Sequence, residues 1–206
     1  MKEQEIHKMK NRNFNLIIFG MLTGFLLVSC PSCKNIPQSS LNGLSQIENT
    51  TQWKWDAWND RYVGGTSTAR IIQNIDGEIN KINVSGNVNF ISGQTHGYSG
   101  WSAVPDDIHL TALRNGNSFS FKCKGDGKQY LVLVATSDVI DYCYYRYTFT
   151  ASDSEDTILV LYENLEQPSW GNQVIFNKNN ITHIDFQIRA EMNHGQFNIT
   201  IWNIKP

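Results

Sequence analysis

Residues 118–136 read SFSFKCKGDGKQYLVLVAT, and this stretch decides the fold class. Apolar Phe119, Phe121 and Cys123 alternate with polar residues, which is the period-2 pattern of a half-buried strand. The letters GDGK follow, and glycine tolerates the positive φ that tight turns require. The apolar run 129–136 then predicts a second strand. Together these features predict a β-hairpin.

Similar runs recur from Trp53 to the end of the chain, without a convincing helical period. The predicted strands are 68–74, 78–84, 86–91, 98–104, 118–124, 129–136, 142–150, 156–163, 181–189 and 196–204. Short strands separated by Gly, Asn and Asp are typical of sandwiches and barrels. Nothing in the composition marks a second domain, so one all-β domain is predicted over 53–206.

This domain contains two cysteines, Cys123 and Cys143. In a plain meander of the strands 118–124, 129–136 and 142–150, they would lie at opposite ends of the sheet. Because bridgeable Cα atoms must lie within about 7 Å, this arrangement disfavours a disulfide, although the sequence leaves both states open.

Composition excludes several classes of protein. Charged residues make up 17% of the 206 residues, aromatic residues make up 12%, and the formal net charge is −2. So many aromatic residues argue against intrinsic disorder as the main state. A weakly negative chain is also a poor candidate for binding nucleic acid through its phosphates. Few charges and many aromatic rings are compatible with a neutral ligand.

The beginning of the chain has the pattern of an export signal. Residues 1–15 contain the basic residues Lys2, Lys8, Lys10 and Arg12, and the run LIIFGMLTGFLLV over 16–28 has no charge. This run is too short to span a bilayer as a helix, which needs about 20 residues, but it suits a secretory signal. It ends in Leu27-Val28-Ser29-Cys30, which resembles the bacterial lipobox.

The lipobox resemblance implies cleavage before Cys30 and lipidation of its thiol. An ordinary signal peptide with Cys30 unmodified is the alternative. We therefore predict a lipoprotein signal peptide over 1–29 and a flexible tether over 30–52, rich in Ser, Asn and Gln. The protein is expected to be an exported bacterial lipoprotein, on the periplasmic side of a membrane or at the cell surface. It would touch the membrane only through its lipid.

Two predicted strands place hydrogen-bonding side chains on one face. In 181–189, the apolar positions point inward and leave Asp185, Gln187 and Arg189 on the opposite face. In 142–150, Tyr144, Arg146 and Thr148 alternate with Tyr145, Tyr147 and Phe149. Such a face suits sugars, whose hydroxyl groups form paired hydrogen bonds and whose C–H faces pack on aromatic rings. The alternative is a solvated face held by cross-strand ion pairs.

Three segments in order resemble one known family. They are Trp58–Ser67 (WNDRYVGGTS), Lys124–Tyr130 (KGDGKQY) and Leu165–Gly171 (LEQPSWG), with Gly195-Gln196-Phe197 as the closing strand. This set resembles domains similar to complex I intermediate-associated protein 30 and the related family 11 carbohydrate-binding modules. The resemblance implies a galactose-binding-like jelly-roll β-sandwich of about ten strands. In the carbohydrate-binding branch a concave cleft holds β-glucan chains, whereas the mitochondrial branch assists assembly of a respiratory complex.

The resemblance also implies ligand residues. Tyr62, Tyr98 and Asp141 fall near positions where the glucan-binding branch has ligand tyrosines and an aspartate, and Asp185 falls at a polar ligand position. Trp101 and Trp170 lie near predicted loops and are candidate exposed aromatic residues. The predicted ligand-binding set is Tyr62, Tyr98, Trp101, Asp141, Tyr144, Arg146, Trp170, Asp185, Gln187 and Arg189.

Other motifs are interpreted as structural. The pair Gly64-Gly65 is expected to permit a tight strand entry, although it could also let a ligand approach the backbone. The cluster Trp53, Trp55 and Trp58 could form a platform for a sugar. The first two share one side of an extended strand, so one of them is instead expected to cap the core.

Neither catalysis nor a cofactor is predicted. The run 65–69 lacks the flanking strand and helix of a nucleophile elbow, and 106–109 is expected to be a surface turn. Calcium bound by Asp153, Glu155 and Asp156 stays open as a structural alternative.

The sequence thus predicts a lipid-anchored, non-catalytic protein that binds a neutral polysaccharide or oligosaccharide. A protein–protein assembly factor in the cell envelope is the alternative function, with a protein partner in place of the glycan. Nucleic acid is not an expected partner.

Overall fold

The computed structural model describes residues 53–76 and 79–206. Within these residues, ten strands and one α-helix follow one another as β1 (Trp53–Asn59), β2 (Thr68–Asp76), β3 (Ile79–Val88), β4 (Tyr98–Pro105), α1 (Asp107–Asn115), β5 (Ser118–Gly125), β6 (Gln129–Thr136), β7 (Tyr145–Thr150), β8 (Asp156–Leu161), β9 (Ile181–Arg189) and β10 (Gly195–Lys205). The predicted signal peptide, Cys30 and the tether lie outside the described residues.

The strands form two antiparallel sheets of five strands each. Sheet A has the order β1-β4-β9-β6-β7, and sheet B has the order β2-β3-β10-β5-β8. The chain crosses repeatedly between the sheets, which is the connectivity of a sandwich rather than of a meander. The predicted all-β sandwich is therefore confirmed. No helix of the described residues is long and apolar enough to cross a membrane.

The core lies between the sheets and is strongly aromatic. Trp101 of β4 is fully buried and stacks between Phe186 at 5.8 Å and Phe197 at 6.3 Å, measured between ring centroids. Phe186 lies on sheet A and Phe197 on sheet B, so these rings join the two layers. Trp53 and Trp55 both contact the same core, as their spacing along one strand predicts.

The predicted hairpin over 118–136 is wrong in its pairing. β5 pairs with β8 and β10, whereas β6 pairs with β7 and β9, so the turn between them passes from one sheet to the other. Asp126 fastens this turn, because its carboxylate accepts hydrogen bonds from Tyr130 Oη and the Asn198 amide, both at 3.0 Å. The turn residues encode a change of direction but not the partner of each strand.

Other element boundaries also differ from the predictions. The predicted strands 78–84 and 86–91 form one strand, β3, and β1 is an additional strand. Cys123 and Cys143 are both free and buried, consistent with the expectation of no bridge. Burial raises the pKa of the Cys123 thiol to about 11, so this side chain is an unreactive part of the core.

The expected surface turn at 106–109 is instead the start of α1. Asp106 is the N-cap, and its carboxylate accepts a hydrogen bond from the His109 amide at 2.9 Å. The helix has nine residues and contributes only Leu113 to the fully buried core, so its helical period is too short to stand out in the sequence.

Replacing Asp106 with alanine is expected to lower the free energy of unfolding by about 1 kcal/mol at neutral pH, because an N-cap bond is lost. Hydrogen bonds from His109 hold the pKa of Asp106 below its usual value. This contribution is therefore complete above the pKa of the unfolded chain and is lost as pH falls through the folded-state pKa. Urea unfolding at neutral and strongly acidic pH checks this. An equal difference between the two proteins at both pH values would contradict it.

Candidate functional site

The outer face of sheet A carries the polar side chains that the sequence placed together. Cross-strand pairing puts Ser102 opposite Asp185, Asp185 opposite Leu133, and Leu133 opposite Arg146. The next row pairs Gly100 with Gln187, and Tyr98 pairs with Arg189 beyond it. Because strand residues alternate between faces, the whole row points away from the aromatic core. The predicted face assignment of Arg146, Asp185, Gln187 and Arg189 agrees with this register.

Asp185 lies in the middle of this face and is only 6% exposed. Its Oδ1 atom has no hydrogen-bond partner among the described residues. The nearest cationic candidate is His183, whose Nε2 atom lies 3.4 Å from that oxygen without hydrogen-bond geometry. Buried polar atoms in folded proteins are nearly always paired, and an exception needs an explanation. The oxygen is covered by neighbouring side chains, so a ligand would reach it only if those side chains moved.

One end of the face is a cluster of aromatic rings. Tyr98 Oη donates a hydrogen bond to Tyr62 Oη at 2.9 Å, and the ring of Trp58 meets Tyr98 edge-on at 6.1 Å. Gly100 makes room for Trp58, since a Cβ atom at Gly100 would lie 2.4 Å from the Trp58 ring. Burial and the bond to Tyr62 raise the pKa of Tyr98 strongly, so its hydroxyl stays protonated.

Buried Asp60 holds this aromatic end in place. Its carboxylate accepts hydrogen bonds from the Ser67 amide at 3.0 Å, the Ser67 hydroxyl at 2.8 Å and the Tyr98 amide at 3.0 Å. Gly64 has φ of 88°, and a Cβ at Gly65 would lie 2.1 Å from the Asp60 carboxylate. The paired glycines therefore serve the turn, as expected.

The opposite end of the face carries Tyr144. Its ring meets His183 edge-on at 6.0 Å and Tyr142 at 6.2 Å. Burial, followed by the charge of Asp185, raises the pKa of Tyr144, which keeps the hydroxyl protonated as a donor. The arrangement therefore places hydroxyl groups and aromatic rings at both ends and a carboxylate between them.

A depression of about 510 Å³ opens beside β7 on this face. Its lining includes Leu131, Arg146, Thr148, Glu166, Arg189 and Glu191. Arg189 forms an ion pair with Glu191, while its Nε atom has no hydrogen-bond partner among the described residues. The depression thus offers both donors and acceptors beside an apolar floor.

The structure corrects one predicted ligand residue, Trp101, and places two others, Asp141 and Trp170, in loops. Trp101 is fully buried on the inner face and cannot contact a ligand, because it lies out of phase with Gly100 and Ser102. Asp141 lies in the loop before β7, where its two carboxylate oxygens accept bonds from the Cys143 and Asn172 amides. Trp170 lies in the loop containing Asn172 and is 63% exposed.

Neither His183 of this face nor Tyr142 of the adjoining loop was predicted from the sequence as a ligand residue, and Trp58 was considered only as part of a possible tryptophan platform. The alternation through Trp53 and Trp55 would have placed Trp58 on the outer face once β1 was recognised as a strand. Tyr142, with φ of 64°, lies in a loop whose conformation no period reveals.

Among the described residues, no three His, Cys, Asp or Glu side chains gather in a way that could hold a metal ion. In the acidic run that was considered for calcium, Glu155 pairs with Lys122, and Asp156 accepts a bond from the Thr157 amide.

Comparison with known proteins adds the following. The family model described as complex I intermediate-associated protein 30 matches residues 44–201. A family 11 carbohydrate-binding module from Clostridium thermocellum, solved with a β-1,3-1,4-mixed-linked tetrasaccharide, is similar at 20% identity, over 77% of this chain and 92% of that chain, with a TM-score of 0.49.

The family 11 module of a cellulosomal cellulase of Clostridium thermocellum is likewise 20% identical, over 79% of this chain and 93% of that chain, with a TM-score of 0.48. A family 29 carbohydrate-binding module is 17% identical, over 75% of this chain and 77% of that chain, with a TM-score of 0.37. No curated protein matches.

Proposed function

Because the chain belongs to the complex I intermediate-associated protein 30 family, we propose its function within that family: a non-catalytic protein that holds a neutral glycan across the outer face of sheet A. The observation that carries the proposal is the buried oxygen of Asp185, which lies between two aromatic ends and has no hydrogen-bond partner among the described residues.

The chemistry of the face favours hydroxyl-rich ligands. A sugar hydroxyl that displaces the covering side chains would donate a hydrogen bond to Asp185 Oδ1 or accept one from Arg189 Nε, both of which are buried and lack hydrogen-bond partners among the described residues. An isolated cation would be attracted by the Asp185 carboxylate but repelled by Arg146 and Arg189. An anion would be attracted by the two arginines but repelled by Asp185. A neutral ligand that both donates and accepts hydrogen bonds satisfies all three side chains.

The length of the face favours an oligosaccharide over a single sugar. Arg189 pairs with Tyr98 at one end, and His183 contacts Tyr144 at the other. His183 and Arg189 are six positions apart on β9, and an extended strand covers roughly 20 Å over that interval. Aromatic rings at both ends would pack on the C–H faces of sugar units, and the polar middle would bind their hydroxyl groups.

Affinity electrophoresis tests this function. The mature chain, residues 30–206, is expected to be retarded in gels that contain a soluble neutral polysaccharide identified on a glycan array. Tyr98→Ala removes one aromatic end and is expected to weaken binding by about tenfold or more, since aromatic stacking contributes about 1–3 kcal/mol. Thr157→Ala, on sheet B, is the matched control with unchanged retardation. Absence of binding across a wide neutral and charged array would reject the proposal.

Family membership supports assembly of a protein complex as the second candidate. In that case the chain from envelope membranes would co-purify with a stoichiometric partner, and Tyr98→Ala would leave the partner bound. Retention of a partner without any glycan binding would favour this second function.

Export and lipid anchoring complete the proposal. Cys30 follows the uncharged run 16–28 and would carry the lipid. Mass spectrometry of the protein from bacterial membranes is expected to find an acylated N-terminal cysteine, whereas Cys30→Ala is expected to abolish acylation. An unmodified Cys30 in the wild-type protein would reject the anchor without affecting the glycan proposal.

A further inference from the structure

One end of the sandwich exposes apolar side chains from two loops. Ile140 is 84% exposed and Tyr142 is 78% exposed in the loop 137–144, and Trp170 and Ile175 are 63% and 92% exposed in the loop 165–177. Four large apolar side chains exposed in two loops that are bonded to each other need an explanation, because exposed apolar surface of this extent marks interaction sites. We call Ile140, Tyr142, Trp170 and Ile175 the apolar tip.

The two loops are tied to each other. The Asn172 amide donates to Asp141 Oδ2 at 2.8 Å, and Gln167 Nε2 donates to the Cys143 carbonyl at 2.9 Å. Gly171 packs so closely that a Cβ atom there would lie 2.4 Å from Cys143. The apolar tip is therefore presented by a fastened pair of loops whose polar groups are paired within the structure.

The register places the apolar tip at the end where the described chain begins. Trp53, the first residue of β1, pairs with Pro105 at the end of β4. Along sheet A, Ala103 pairs with Ile184, and Thr136 pairs with Ile181, so the loops 137–144 and 165–177 lie at that same end. Ile108, which is 77% exposed in α1, also follows Pro105.

We propose that the apolar tip docks on the surface of a lipid bilayer, beyond the predicted contact through the lipid on Cys30. The location rests on the proposed anchor, since about 23 residues join Cys30 to Trp53 and span at most roughly 80 Å when extended. The sandwich end that receives this chain is therefore held within reach of the bilayer at high effective concentration.

The residue types fit an interfacial contact. Trp and Tyr combine an apolar ring with a polar group, which suits the boundary between headgroups and acyl chains, while isoleucine side chains enter the apolar layer. The two loops 137–144 and 165–177 contain the acidic residues Asp138, Asp141 and Glu166 and no Lys or Arg. Docking is thus driven by burial of apolar side chains and does not require anionic lipid.

Vesicle cosedimentation tests the docking surface. The chain 30–206 carrying Cys30→Ser, which has no acyl group, is expected to partition onto phosphatidylcholine vesicles. Adding phosphatidylglycerol should not strengthen the partition. Ile140→Ser combined with Ile175→Ser is expected to weaken it by about tenfold or more, because each isoleucine loses the burial of its side chain.

A matched control uses two exposed aliphatic residues of sheet B. Ile72 is 40% exposed and Leu159 is 54% exposed. Ile72→Ser combined with Leu159→Ser should leave vesicle partition unchanged. No partition of the Cys30→Ser chain, or equal loss in both double variants, would overturn the proposal. It would also be overturned if the Ile140/Ile175 variant partitioned onto vesicles like the wild type but no longer bound a protein partner. Glycan retardation of the Ile140/Ile175 variant should stay that of the wild type, so the two proposals fail separately.

Discussion

Replacing Asp60 with alanine is expected to lower the free energy of unfolding by about 3–5 kcal/mol. The Asp60 carboxylate is fully buried and accepts three hydrogen bonds, two from Ser67 and one from the Tyr98 amide. Alanine would leave the Ser67 and Tyr98 amides unpaired inside the protein, whereas the Ser67 hydroxyl can still donate to the Asn89 carbonyl. Each buried unpaired donor costs about 1–3 kcal/mol. Urea unfolding monitored by tryptophan fluorescence measures the change.

Ser67→Ala serves as the graded control for Asp60. It removes the hydroxyl that donates to Asp60 and that accepts from the Asn89 amide at 3.0 Å, but it keeps both amide bonds to Asp60, so its loss of stability should be smaller than that of Asp60→Ala. Asp60→Ala should also weaken glycan binding, because Asp60 fixes the backbone of Tyr98 at the aromatic end. A loss of stability below about 1 kcal/mol for Asp60→Ala would contradict this account of the buried carboxylate.

Replacing Asp185 has the opposite effect on stability from replacing Asp60. Asp185→Leu is expected to raise the free energy of unfolding by about 1–3 kcal/mol while abolishing glycan binding. A buried carboxylate oxygen without a hydrogen-bond partner destabilises the folded chain, and leucine fills similar space beside Leu133 without that penalty. A residue retained at the expense of stability is what a binding site predicts.

Asp185→Asn separates charge from shape in the same position. This variant keeps the size of the side chain but is expected to bind glycan more weakly, since hydrogen bonds to charged acceptors are the stronger ones. Chemical denaturation and affinity electrophoresis should be run on both variants. If Asp185→Leu unfolds more easily than the wild type, Asp185 supports the fold, and its role in binding is contradicted.

The polar face of sheet A followed from period-2 alternation alone. Asp185, Gln187 and Arg189 alternate with buried Ile184, Phe186 and Ile188, and this pattern survives any choice of neighbouring strand. Trp101 shows the limit of the same reasoning. It lies within the predicted strand 98–104 and was expected to be exposed near a loop, but the phase of β4 turns its ring inward.

Pairing between distant strands was beyond the sequence. β5 and β6 are consecutive and joined by Gly125–Lys128, yet they belong to different sheets, because each is held by partners far along the chain. The aromatic end of the site depends on a similar long-range contact, since Asp60 bonds the Tyr98 amide across 38 positions. No local pattern marks such contacts, so the cluster of Trp58, Tyr62 and Tyr98 emerges only from the structure.

The central claim is that the outer face of sheet A holds the glycan, and NMR titration of the mature chain tests it most directly. Adding the oligosaccharide selected on the array should shift amide signals along the face, at Tyr98, Gln187, Asp185, His183 and Tyr144. The signals of sheet B, such as those of Lys122 and Thr200, should stay in place. Shifts confined to sheet B, or absent from Asp185 and its neighbours at saturating ligand, would contradict the account.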